Sequence, residues 1–99
     1  MRPSAWREVK GHDGDVLSVS HIPELGYLAT TSTDCTIQFW DTQEFKMCQR
    51  LPTTVPILTT EWHPTSNSSG GVLFAGGLLN PKTNKVTITA YDPMRNFNR

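Results

Sequence analysis

Long apolar runs are missing from this sequence; none approaches the roughly 18 residues that a membrane-crossing helix needs. Cysteine is scarce. Cys35 and Cys48 are too few for a disulfide scaffold and read as buried or edge thiols of a reducing compartment. Neither sign of charge prevails, with nine basic and nine acidic residues. The basic ones are scattered rather than striped, so nothing steers the chain toward nucleic acid or an anionic membrane. Helical periodicity is absent, because no stretch repeats apolar residues at the 3, 4 and 7 spacing over several turns. The first residues, Met1 to Trp6, form no apolar leader segment. The expected location is therefore intracellular, cytoplasmic or nuclear. Asn67-Ser68-Ser69 fits a glycosylation sequon that such a location leaves unmodified.

Short apolar or β-branched runs take the place of helices. Eight can be read: Trp6 to Lys10, Val16 to Ile22, Tyr27 to Ser32, Thr36 to Trp40, Phe45 to Leu51, Ile57 to Trp62, Val72 to Ala75 and Val86 to Tyr91. Ile37 and Phe39 alternate onto one face, and Trp62 and Phe74 are expected in the core. The separators carry turn chemistry. Gly14, in Asp13-Gly14-Asp15, can take a positive φ without steric cost. Pro23 and Pro64 lack an N–H and belong at strand ends. Ser66 to Gly71 reads as a flexible loop, and Asn80 to Asn84 as a hairpin connection. Strands this short and regular predict an all-β, antiparallel architecture.

One internal unit stands out. Gly11-His12 opens it and Trp40-Asp41 closes its third strand. Between them lie Pro23, the hydroxyl-rich run Thr30-Thr31-Ser32 and the turn aspartate Asp34. In this order and spacing the segment resembles a WD40 repeat. The resemblance implies antiparallel four-stranded propeller blades, here an incomplete WD40 propeller of about two blades. It also implies a hydrogen-bonded tetrad that locks the blade, carried by His12, Thr30, Asp34 and Trp40. The chemistry is self-consistent: an indole N–H only donates, a hydroxyl and a neutral imidazole relay, and a carboxylate only accepts. His12, Thr30 and Asp34 also mimic a catalytic triad. A working triad needs an exposed nucleophile and an oxyanion hole, and the resemblance places these groups inside a blade, so no catalytic residue is assigned.

A second, degenerate unit follows. Its third strand ends at Tyr91-Asp92 where Trp-Asp is usual, and Thr53, Ala75 and Leu79 or Asn80 stand where the tetrad would be. The domain reading is an outer strand of a preceding blade over 1–10, a complete repeat over 11–51, a degenerate three-stranded repeat over 52–93 and a truncated tail over 94–99. Propellers need about 4–8 blades to close, so the chain reads as part of a longer protein whose remaining blades complete it. The second unit also resembles, loosely, large WD-repeat proteins that pair propellers with EF-hands, some of them ciliary, although no EF-hand loop occurs here.

The function expected is a non-enzymatic protein–protein interaction scaffold that assembles complexes. Its partners are expected to be other proteins or peptides, bound through loops that rigid strands position. Candidate contact residues are Asp13, Asp15, Thr33, Thr53, Asn67 and Lys82. Alternatives are a propeller segment of a larger enzyme and a scaffold of a ribosome-assembly, chromatin or ciliary complex; direct nucleic-acid contact is not expected at neutral charge. His12, His21 and His63 with the two cysteines lack zinc-ligand spacing, so no metal is expected. Gly70-Gly71 and Gly76-Gly77 are not followed by the Gly-Lys-Ser/Thr of a phosphate loop, and no cofactor is expected.

Overall fold

A computed structural model describes residues 11–64 and 71–93. Seven strands run in chain order: β1 (Val16–Ile22), β2 (Tyr27–Ser32), β3 (Thr36–Asp41), β4 (Met47–Pro52), β5 (Ile57–Pro64), β6 (Gly71–Gly77) and β7 (Ile88–Tyr91). They form a four-stranded sheet in the order β1-β2-β3-β4 and a three-stranded sheet in the order β5-β6-β7. Every neighbouring pair is antiparallel. The protein is thus all-β, with meandering sheets of the kind that build WD40 blades, and the described strands do not close a ring.

The local causes are those the sequence offers, with three corrections. The run expected from Phe45 begins instead at Met47, because Phe45 takes a left-handed φ of 58° in the β3–β4 turn. That turn is organised by Asp41, whose Oδ1 accepts the N–H of Gln43 at 2.7 Å and of Glu44 at 3.0 Å. The last strand starts at Ile88 rather than Val86, since the Asn80–Lys85 bridge ends the preceding hairpin and leaves Val86 exposed. Gly14 does not use positive φ; among the described glycines Gly26 does, at 71°, in the β1–β2 turn. Gly14 matters for proximity instead: a Cβ there would run into Thr33 Oγ1 and sit 3.0 Å from the backbone N of Asp34. Finally, Phe74 is not core. It is 41% exposed, on the far side of the second sheet, edge-on to His63. The expected strand at Trp6 to Lys10 lies outside the described residues.

The two sheets stack face to face. Ile22, Ala29, Ile37 and Phe39 of the first meet Ile57, Leu73 and Ala75 of the second in one core. Trp62 packs against it from the edge and donates its Nε1–H to Glu24 Oε1 at 2.6 Å. Along the seam between β1 and β5, the Ser18 hydroxyl lies 3.0 Å from that of Thr60, and Ser20 bonds the same threonine. The Thr53 N–H donates to the Cys35 carbonyl at 2.9 Å, so the β4–β5 link starts β5 beside the β2–β3 turn. The start of β1, the β2–β3 turn, the β4–β5 link and the β6–β7 hairpin therefore share one end of the molecule.

Candidate functional site

The polar centre of the first sheet is built from three elements. β2 contributes Thr30, β3 contributes Trp40 and Thr36, and the turn between them contributes Asp34. The segment leading into β1 brings His12. The indole Nε1–H of Trp40 donates to Thr30 Oγ1 at 2.9 Å. Thr30 Oγ1 lies 2.6 Å from His12 Nε2 and 3.5 Å from the Gln38 carbonyl oxygen. His12 Nδ1 lies 3.1 Å from Asp34 Oδ2. With Nδ1 protonated, the imidazole donates to the carboxylate and accepts the threonine proton at Nε2, so every group uses its proper role. The His12 side chain is 1% exposed and that of Asp34 10% exposed. The sheet thus brings His12, Thr30, Asp34 and Trp40 together.

Asp34 does more than close this chain. Its Oδ1 accepts the backbone N–H of Thr36 at 3.0 Å and the Thr36 hydroxyl at 2.6 Å. Its Oδ2 accepts the backbone N–H of Asp13 at 2.9 Å. Burial alone would raise its pKa. The bonds from Thr36, Asp13 and His12, with the imidazole's charge when protonated, outweigh it and lower the value from 3.8 to about 2. Thr36 is a member that the motif reading missed. Its signal was present: an Asp side chain commonly accepts the N–H two residues on. Ser32 adds a further support, its Oγ accepting the Asp34 N–H at 3.1 Å.

The hydroxyl of Thr30 is engaged by both the indole and the imidazole. The second sheet has no counterpart network among the described residues. Ala75 is buried where a hydroxyl would stand, and Tyr91 packs its ring against the core. Thr53 instead donates its hydroxyl to the Val55 carbonyl at 2.6 Å. Among the described residues no group of His, Cys, Asp and Glu is arranged to hold a metal ion, and no helix is long and apolar enough to cross a membrane.

The other candidate residues fall at the shared end of the sheets. Asp13, Asp15 and Thr33 are exposed there. Asp15 and Thr33 hold one another: the Asp15 N–H donates to Thr33 Oγ1 and the Thr33 N–H to the Asp15 carbonyl, both at 2.9 Å. Thr53 is half-buried beside them, its N–H on the Cys35 carbonyl at 2.9 Å. Lys82 is exposed on the β6–β7 hairpin. Asn67 lies outside the described residues.

A four-stranded antiparallel meander pinned through a His–Thr–Trp–Asp network defines a propeller blade of the WD40 type. The family model WD domain, G-beta repeat, matches residues 5–41, so that segment is similar to a single WD40 repeat. The match is out of phase with the sheet: it takes in β1 to β3 and ends at Asp41, leaving β4 beyond it. A curated relative, the Protein HIRA homolog of Drosophila melanogaster, is 49% identical over 37 residues. That alignment covers 37% of this chain and 4% of the relative's length. No solved structure matches the chain. A WD40 repeat implies a scaffold role in protein interaction, and the family is generally non-catalytic.

Proposed function

We propose that this chain is a non-enzymatic scaffold that assembles protein complexes through the loops at the shared end of its sheets. The observation that carries this reading is the anchoring of those loops. Asp34, itself held by His12 and Thr36, fixes the backbone at Asp13, and the Asp15–Thr33 pair fixes the next turn. Exposed side chains on a rigid backbone lose little freedom when a partner binds, which favours recognition. Asp13, Asp15 and Thr33 form the acidic and hydroxyl part of the surface; Thr53 and Lys82 extend it across the second sheet. The chain divides into a repeat over 11–51 and a degenerate one over 52–93, with further blades of a longer protein covering the two outer faces. Unpaired Cys35 and Cys48 suit an intracellular setting, cytoplasmic or nuclear.

The reading is checked by quantitative affinity purification of the chain and of a variant carrying Asp13→Lys and Asp15→Lys. Both side chains are exposed, and the urea midpoint of the variant is read alongside the capture. Selective loss of a reproducible partner set is expected; an unchanged set counts against the proposal.

A further inference from the structure

At the shared end, the β4–β5 link and the β6–β7 hairpin enclose a groove. Its larger recess has a volume of about 550 Å³ and an adjoining one about 350 Å³, with Thr54, Val55 and Asn80 common to both. Pockets of several hundred Å³ are the size that holds a ligand or a few side chains of a peptide. The walls are firm. The Leu78 N–H donates to the Pro56 carbonyl at 3.0 Å and ties one wall to the other. The hairpin closes on itself through Asn80 N–H to the Lys85 carbonyl at 2.9 Å, Asn84 N–H to the Asn80 carbonyl at 2.7 Å, and Lys82 N–H to Asn80 Oδ1 at 2.9 Å. The lining is apolar at Val55, Pro56, Leu79 and Pro81, and Leu79 is 51% exposed. Lys82 and Lys85 stand on the hairpin rim, and no carboxylate of the described residues lines either recess.

We propose that this groove binds a short acidic peptide segment, with carboxylates on Lys82 and Lys85 and an apolar side chain against Leu79 and Pro81. The proposal rests on the scaffold reading above and names the partner chemistry of one part of that surface. Charge complementarity selects the occupant: two cations without a lining carboxylate leave a local positive field, although the whole chain is neutral. A nucleic-acid strand fits less well, because no aromatic ring of the described residues lines the groove for bases to stack on. Purely apolar ligands would leave both ammonium groups without a partner. Hydrophobic contact supplies the affinity, and the lysines supply orientation and selection against basic sequences.

The probe is a fluorescein-labelled peptide of sequence Glu-Asp-Leu-Glu-Leu-Asp, titrated with the full chain and followed by anisotropy. Saturable binding that weakens with added salt is expected. Binding should fall about tenfold in the Lys82→Glu, Lys85→Glu double variant, as two exposed ion pairs become repulsive. It should also fall in Leu79→Ser. Lys46→Glu, on the opposite end of the sheets, should leave it unchanged, and all variants should keep the parent's urea midpoint. Equal binding of a Lys-for-acid peptide, tighter binding of oligo-uridylate, no binding, or indifference to the lysine double variant would each overturn the groove assignment. Partner capture that still depends on Asp13 and Asp15 would in that event leave the scaffold reading standing, so the two failures are separable.

Discussion

Thr30 is where the indole and the imidazole of the first sheet meet. Replacing it by the isosteric valine removes one oxygen and strands two buried groups, Trp40 Nε1–H and His12 Nε2. Thr30→Val is expected to cost about 1–3 kcal/mol for each group left unpaired, and Thr30→Ser far less. Urea unfolding read by tryptophan fluorescence measures both. Asp34 gives the same network a pH signature. Its pKa falls from 3.8 in the ordinary state to about 2 in the folded one, so between these values the unfolded chain holds more protons. The stabilisation is therefore complete above 3.8 and disappears as the pH falls toward about 2. Acid titrations of stability should lose this slope in Asp34→Asn; an identical slope in the variant would refute the assignment. His12, Asp34 and Trp40 were legible because each stands at a characteristic position of the repeat. Thr36 was legible only through its N–H, which an aspartate two residues earlier commonly accepts; its hydroxyl bond to Asp34 appears only when the turn folds it back.

At the scale of strands, the sequence named where chain is extended more clearly than which face is covered. β6 reads Gly71-Val72-Leu73-Phe74-Ala75, apolar on both faces, so alternation cannot say which side meets the first sheet. Packing decides: Leu73 is fully buried in the shared core while its neighbour Phe74 points away. Leu73→Ala should cost about 2–5 kcal/mol. Phe74→Thr should cost less than about 1 kcal/mol, losing chiefly the edge contact with His63. A reversed order in thermal unfolding would mean the faces are assigned the wrong way round. The entry into β1 obeys a different constraint. Gly14 was legible as a turn residue, but the reason it must be glycine is the approach of Thr33 and Asp34, a contact distant in sequence. Gly14→Ala should destabilise by about 1–3 kcal/mol through overpacking and should loosen the Asp13 bond to Asp34; hydrogen exchange at the Asp13 amide reads this directly.

For the whole molecule the deciding feature is that each sheet spends one face on the other and leaves large apolar side chains exposed on the opposite face. On the first sheet Val16, Val19 and Leu28 border a recess of about 220 Å³ beside Trp40 and Phe45. On the second, Phe74 and Ile88 do the same, Ile88 at 79% exposure. The core that holds both Phe39 and Leu73 shows what such faces are for: a blade buries its apolar side against the next blade. The sequence carried this at the level of family, through the repeat, but the open faces could be located only after the strands were paired. Exposed apolar surface on both sides should make the isolated chain bind a dye such as anilinonaphthalene sulfonate and associate as concentration rises, because the two faces are non-equivalent and permit head-to-tail contact. Val19→Lys blocks one face and Ile88→Lys the other, and either alone should interrupt a head-to-tail array, since each contact needs one face of each kind. Sedimentation velocity over a hundredfold concentration range distinguishes the cases. A parent chain that stays monomeric and dye-free throughout would show that these faces do not drive association, and the expectation of further blades upon them would lose its physical basis.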